Sequence, residues 1–412
     1  MVSTTALVAY SPWIATQWLK LETLPVHVVS TALPFLGFAI PFQLVTGLYR
    51  SIQIGFERQV LLASLNILFA TARFFGVLAA LCVFGATIEI FFAYQAILAL
   101  IELVTFAGSS RAMMPDGRER LSSAVLHELV RTLKFASAIS VVTVCWIVIT
   151  QTDRFILSHV LTMQNYGIFT LAVTASSALV TISTPMGQTL LPRLTLLNAQ
   201  GKWDEALKLC RNGTQLAVVV ALSAALVLTL FSKEILWIWT GDWIVAGRAA
   251  PILSAYAIGS GVVPLTAFTY YLQYSRGGLR LHMIGQILMT ALFVPGVLFT
   301  AHWFGAIGVG YLWTVLNITY LLVWTALVHQ KLTPGLHWSW FLGDIGSIFI
   351  PAAIFAAVLD LAWKWPDDRL TALTELILVS FLVLATAVAA SSFLRGWVRM
   401  EARKFLHGGA GL

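Results

Sequence analysis

A chain of 412 residues that is 59% hydrophobic and only 10% charged lies far from the soluble average of roughly 45 to 50% apolar and 25% charged residues. That excludes a water-soluble enzyme or regulator and marks a membrane protein. The net charge of +7 reads as a topology signal and an attraction to anionic membrane lipids, and nothing in its pattern points to nucleic acid. Cys82, Cys145 and Cys210 show no CxxC spacing, so neither a disulfide framework nor a zinc site is expected, and no cofactor is implied.

A spanning helix needs about 20 mostly apolar residues. In chain order, apolar cores are expected at 26–48, 60–84, 87–107, 132–151, 165–191, 213–231, 249–271, 282–302, 306–328, 343–363 and 371–394. A shorter candidate covers Val2 to Leu19, where Trp13 and Trp18 suit an interface. The first twenty residues lack the basic start and cleavage site of a secretory signal. Placing the 109–131 loop inside puts eighteen of the 25 Lys and Arg on the inner face, six outside, and Arg73 within a span. By the positive-inside rule both termini are then cytoplasmic.

Two segments repeat at an offset of 223. FAIPFQLVTGLYRSIQIG (38–55) and GVVPLTAFTYYLQYSRGG (261–278) share Pro41 with Pro264, Thr46 with Thr269 and Gly55 with Gly278, and a basic residue, Arg58 or Arg280, follows the glycine. The same offset carries span 60–84 onto 282–302 and span 87–107 onto 306–328. Such tandem halves build alternating-access cavities in many transporters. The expected domains are an incomplete N-terminal lobe (1–108), a cytoplasmic amphipathic inter-lobe loop (109–131), a C-terminal lobe (132–330), and two further spans with a basic cytoplasmic tail (331–412). The offset also implies about 90 residues upstream of Met1, hence an N-terminal truncation by two helices or a misassigned start.

The run QTDRFILSHVLTMQNYGIFTLAVTASSALVTISTPMGQTLLPRLTLLNAQGKWDEALKL resembles the seventh to eighth helix region of the polysaccharide transporter family. It shows a D-R-x-x-L span end (Asp153 to Leu157), then G-x-[FY]-x-L-A (Gly167 to Ala172), then P-R-L (Pro192 to Leu194) before an amphipathic cytoplasmic loop. Residues 42–76 resemble that family's fourth and fifth helices. The resemblance implies an all-α polytopic membrane protein of about 11 to 12 transmembrane helices in two tandem repeat lobes around a central cavity, plus two extra C-terminal helices. It implies a flippase that carries undecaprenyl-pyrophosphate-linked oligosaccharide, such as an O-antigen or exopolysaccharide repeat unit, across the bacterial inner membrane by alternating access. Its implied partners are the lipid-linked oligosaccharide, membrane lipids, a polysaccharide polymerase and a chain-length regulator.

Fixed cations suit that cargo, because burying an unpaired pyrophosphate costs many kcal/mol. Arg73 lies midway along span 60–84, where a charge costs roughly 2.5 to 3.5 kcal/mol, so it should face the bundle interior or water. It reads either as a phosphate-binding fork or as a structural pair with Glu102 on the next helix. Asp153 and Arg154 point about 100 degrees apart on a helix. They either end the span or sit at a cavity mouth, with Arg154 meeting pyrophosphate or sugar and Asp153 orienting it or carrying a coupling cation. Glu89 and Glu102, about 20 Å apart along one helix, are candidates for proton or sodium coupling. Pro41, Pro185, Pro264 and Pro295 are expected to bend spans.

HELVR (127–131) lacks the second histidine of a zinc peptidase, GAIGVG (305–310) does not match a dinucleotide fingerprint, and no GxxxxGK[ST] loop is present. A glycan polymerase or ligase needs a sizeable outer loop, and the longest one expected here is about 17 residues around 232–248. The chain therefore reads as a transporter rather than an enzyme. Within transporters the runner-up is a multidrug or toxin cation antiporter, followed by a lipid II flippase.

Overall fold

The computed structural model describes residues 26–56, 58–114 and 123–408, which are helical almost throughout and include no strand. The chain divides into two compact units, Met1–Leu121 and Ser122–Leu412. The span candidate at 2–19 lies outside the described residues, as does much of the expected inter-lobe loop.

Unit 1 holds α1 (Val26–Gly55), α2 (Val60–Phe84) and α3 (Ile88–Arg111). Helix α1 packs mainly on α3. Thr87 caps α3, its hydroxyl accepting from the Ile90 N–H at 3.3 Å, which satisfies one of the orphan donors of a helix start. Helix α2 is interrupted by a π turn at Ala72–Gly76, an irregularity that frequently marks functional positions. Tyr94 from α3 donates to the Ala72 carbonyl there at 2.7 Å. Its ring lies over Gly76, where a Cβ would fall 2.0 Å from the Tyr94 hydroxyl. Gly76→Ala is therefore expected to expel that hydroxyl and cost about 1 kcal/mol for the lost hydrogen bond. In a Tyr94→Phe background the same glycine substitution should shift thermal unfolding far less, because the hydroxyl it displaces is already gone.

Unit 2 holds α4 (Ser123–Val160), α5 (Met163–Ala199), α6 (Trp203–Leu230), α7 (Ser232–Thr240), α8 (Trp243–Ser275), α9 (Arg280–Leu332), α10 (Leu336–Ala362), α11 (Arg369–Ala390) and α12 (Ser392–Gly408). Helix α8 is its centre, 72% buried against 11% for α2, and packs on α5, α6, α7 and α9. Gly259 and Gly310 bring α8 and α9 together, since a Cβ on Gly259 would meet the Thr314 backbone at 2.9 Å. In lipid, where tails are as apolar as leucine, such small-residue contacts drive helix association.

Ten of the eleven expected apolar cores lie within helices to within a residue, whereas the core expected at 371–394 is broken at Ser391, where α11 ends and α12 begins. Helix α9 contains two of the cores. Its 53 residues would run about 80 Å as one rod, far beyond a hydrocarbon core of about 30 Å. Gly305 breaks it with φ 62 and ψ −152, a conformation open essentially to glycine alone. Among the described residues nine helices are long and apolar enough to span a membrane, with α9 supplying two crossings.

Three boundaries differ from expectation. Helix α4 begins at Ser123, inside the stretch expected as a loop. Leucines and alanines carry α5 through Pro192 to Ala199, so the amphipathic stretch after Pro192–Leu194 is no loop but the first turns of α6, reached by a tight turn with Gly201 at φ 71. The expected outer loop at 232–248 is the short helix α7, ended by Gly241 at φ 76, followed by the start of α8. Asp242 caps α8, its carboxylate accepting from the N–H groups of Ile244 and Val245 at 2.7 and 3.1 Å. The amphipathic register of Trp203–Ala217 and the Asp242 cap extend helices past the apolar run that the hydrophobic signal can detect.

The repeat has a structural counterpart. Pro41 and Pro264 lie inside α1 and α8, and Thr46 and Thr269 are both buried and bonded back to their own helix at 2.7 Å. Helix α1 packs on α3 within unit 1, as α8 packs on the second leg of α9 within unit 2.

Candidate functional site

Among the described residues, each unit holds a cluster of charge that carries the functional reading. In unit 1 it centres on Glu102, whose side chain is 3% exposed. One carboxylate oxygen accepts from Arg73 at 2.7 Å and the other from Arg50 of α1. The Arg50 guanidinium lies 5.0 Å from the Phe106 ring centre, one turn after Glu102, so the carboxylate and the ring fix it from one helix face. Both arginines remain partly accessible, at 40% and 31%, and the Nε of Arg50 has no protein partner. A buried carboxylate thus holds two guanidinium groups side by side, each with donors left over. The sequence-level pairing of Arg73 with Glu102 is present, and the π turn carries Arg73 on α2. Arg50 was counted only as an inner-face cation. Its position two turns after Phe42 and one turn before the helix end concealed a partner 52 residues away.

Glu89 stands apart. It is exposed in the first turn of α3, 13 residues and about 20 Å from Glu102. There a carboxylate is favoured by the helix N-terminus.

In unit 2 the four helices α4, α5, α8 and α9 bound a cavity of about 190 Å³. Asp153, 5% exposed, lies in its wall and accepts from the Tyr256 hydroxyl at 2.8 Å and from the Arg154 backbone N–H at 2.7 Å. Arg154 also lines the cavity, with a buried Nε that has no protein partner. Adjacent helical residues were expected to face different ways, yet both reach this one space. Trp146, Ile149, Thr150, Asp153 and Arg154 line it together, which at 100 degrees per residue is an arc of about 140 degrees of α4. The cavity wraps that arc because α5 bounds it on one side and α8 with α9 on the other.

The remaining wall combines the hydroxyls of Ser176, Ser177, Thr181 and Ser260 with the rings of Tyr256 and Trp313 and the aliphatic Val173 and Val180. Trp313 donates to Ser260 at 3.1 Å. At about 30 Å³ per water the volume equals roughly six waters, enough for a small polar moiety, and the cavity is open on one side. Tyr256, Ser260 and Trp313 escaped the sequence reading, because one polar group in an otherwise apolar helix face carries no periodic signal. AYAIGSG, with its tyrosine and serine between glycines and alanines, was the available hint.

Outside these clusters, Asp344 of α10 is buried and accepts from the Arg211 Nε at 2.5 Å and from Gln215 at 2.8 Å. The thiols of Cys145 and Cys210 are buried and all three cysteines are free.

The family model described as "Polysaccharide biosynthesis protein" matches residues 1–197. A solved structure of the lipid II flippase MurJ, in an inward closed conformation, is similar with a TM-score of 0.67 at 13% identity, covering 96% of this chain and 82% of that one. No curated protein matches the sequence. The chain has a MurJ-like polytopic membrane fold, and the family match takes in residues 42–76 and 151–197 of the stretches in which the resemblance was read.

Proposed function

We propose that this chain, whose first 197 residues match the polysaccharide biosynthesis family, moves a lipid-linked oligosaccharide across a bacterial inner membrane as a flippase. Its cargo is an undecaprenyl-pyrophosphate saccharide of the O-antigen or exopolysaccharide type, and it works by alternating access with both termini in the cytoplasm. The observation that carries this reading is the pair of guanidinium groups of Arg50 and Arg73 held on the buried Glu102. Arginines inserted among apolar helices at such cost mark substrate paths, and two planar forks suit the oxygens of a pyrophosphate. A cationic-drug exporter gains nothing from them. In this scheme Asp153, Arg154 and the hydroxyl-lined cavity receive a polar part of the cargo or a coupling ion, and Glu89 serves at most as a peripheral acid. The fold neighbour is a flippase, which supports a role without bond-making chemistry. Lipid II is the second candidate cargo, because the similar solved structure is a lipid II flippase and its pyrophosphate would meet the same arginines.

The test is reconstitution of the chain in vesicles with a fluorescent undecaprenyl-pyrophosphate saccharide or labelled lipid II on one leaflet, read by quencher accessibility. Translocation of the first cargo, lost in Arg73→Ala and Arg50→Ala and indifferent to drug cations, is the expected result. Movement of lipid II alone reassigns the cargo, and efflux of cationic dyes with neither lipid moved overturns the reading.

A further inference from the structure

The segment SSFLRGWVRMEARKFL (391–406) follows the last spanning helix and changes character abruptly. Helix α11 has 22 residues, about 33 Å at 1.5 Å each, enough to cross the hydrocarbon once. The chain therefore leaves the apolar layer at Ser391. There the backbone turns extended, with ψ 121, and α12 starts in a new direction. Its first turn is fastened to the body of unit 2. The Gln215 side-chain oxygen on α6 accepts from the Ser391 hydroxyl at 2.8 Å, the Ser392 hydroxyl at 3.2 Å and the Phe393 N–H at 3.0 Å. Gln215 in turn donates to Asp344, which Arg211 pairs. Three contacts to one oxygen fix where α12 begins, at the level where the span ends.

By helical register Arg395, Arg399 and Arg403 recur every four residues along one stripe, while Phe393, Trp397, Met400, Leu394 and Val398 occupy the opposite arc. Phe393 and Leu394 are partly buried against unit 2, but Trp397, Val398 and Met400 are 53%, 47% and 49% exposed. With Lys404 against Glu401 the helix carries a net charge of +3. A cavity of about 370 Å³ beside Ser392 is lined by Lys208 and Arg211 but also by Asp204 and Asp344, so its own charges cancel and the cation excess lies on α12.

An uncovered apolar arc opposite an arginine stripe, starting where the chain exits the bilayer, fits one occupant by charge and position. We infer that α12 lies in the headgroup layer and binds anionic phospholipid through the arginine stripe that begins at Arg395 and Arg399, with Trp397, Val398 and Met400 entering the acyl boundary. The basic residues place it on the lysine- and arginine-rich side of the membrane, where anionic lipids act on such segments. The inference is independent of the cargo.

The full chain tests it. In a Cys82→Ser background, nitroxide at Val398→Cys or at Arg399→Cys is examined in nanodiscs of phosphatidylcholine alone or with one-third phosphatidylglycerol. In the anionic discs the label at 398 should sit about 5 to 10 Å below the headgroups, accessible to oxygen and shielded from aqueous nickel, while the label at 399 stays exposed to nickel. Changing Arg395, Arg399 and Arg403 together to glutamine should lower the docked-to-free ratio at 398 on the order of 100-fold, and high salt should act in the same direction. Equal nickel access at 398 in both discs overturns the inference. So does equal immersion in neutral discs that ignores the triple substitution, which would mean apolar anchoring alone. A dipolar signal between labels on two chains overturns it in favour of a second copy covering the arc.

Discussion

Glu102→Ala is expected to destabilise unit 1 by roughly 3 kcal/mol and to abolish translocation. Both carboxylate oxygens are in ion pairs, with Arg73 and with Arg50, and the side chain is 3% exposed. Removing the shared acid leaves two guanidinium groups among apolar side chains. Breaking a buried pair costs about 3 to 5 kcal/mol, and the low end applies because both arginines reach the surface in part. Arg73→Ala or Arg50→Ala leaves the acid one partner and should cost about 1 kcal/mol, the upper range for partly exposed pairs. The effects are then strongly non-additive. Once Glu102 is gone, removing either arginine should restore stability, a positive coupling that a double-mutant cycle reads directly. Glu102→Gln keeps the volume and one acceptor oxygen but turns an amide towards a guanidinium, and should fall between. Unfolding in detergent, followed by thermal shift, measures the wild type and each variant. If Glu102→Ala costs no more than Arg73→Ala, the carboxylate does not hold both arginines, and the preformed pyrophosphate fork falls with it.

What the sequence made legible follows from which signals are local. A hydrocarbon layer demands about 20 apolar residues in a row, so the nine candidate spans among the described residues were visible, including the two legs of α9 whose break at Gly305 falls in the short gap between 302 and 306. The repeated Pro41 and Thr46, with their counterparts Pro264 and Thr269, sit inside helices, and both threonines are buried. Helix ends were less legible. Trp203 to Ala217 is amphipathic and belongs to α6, but an apolar-run criterion stops at its polar positions. Partners were the least legible. Arg73 and Glu102 are joined by a short turn, so depth counting could pair them, whereas Arg50 is 52 residues from Glu102 and Tyr256 is 103 from Asp153. Asp344 sits at the polar edge of a span and resembled an ordinary boundary charge, although Arg211 and Gln215 hold it from 133 and 129 residues away. Distances of that order in sequence are set by packing, and a single chain read without its fold holds no trace of them.

Asp153→Ala should cost about 3 kcal/mol and silence transport, the second large effect. The carboxylate accepts from the Tyr256 hydroxyl and from its neighbour's backbone N–H, and hydrogen bonds to a charged group contribute about 1.5 to 3 kcal/mol. Alanine also leaves the Tyr256 hydroxyl, on a residue 3% exposed, without its acceptor. Tyr256→Phe removes the donor alone and should cost about 1.5 kcal/mol, and adding it to Asp153→Ala should cost little more, because the orphaned hydroxyl leaves with it. Asp153→Asn separates structure from function. The amide oxygen can still accept from Tyr256, so stability should fall by only about 1 kcal/mol, while the charge facing the 190 Å³ cavity beside Arg154 is lost. If the cavity receives a coupling cation or orients Arg154 on the cargo, Asp153→Asn is nearly as inactive as Asp153→Ala in the vesicle assay. An asparagine variant that transports at the wild-type rate would make Asp153 a structural anchor for α8 and nothing more, and would leave Arg154 and the arginine pair of unit 1 as the charged elements of the mechanism.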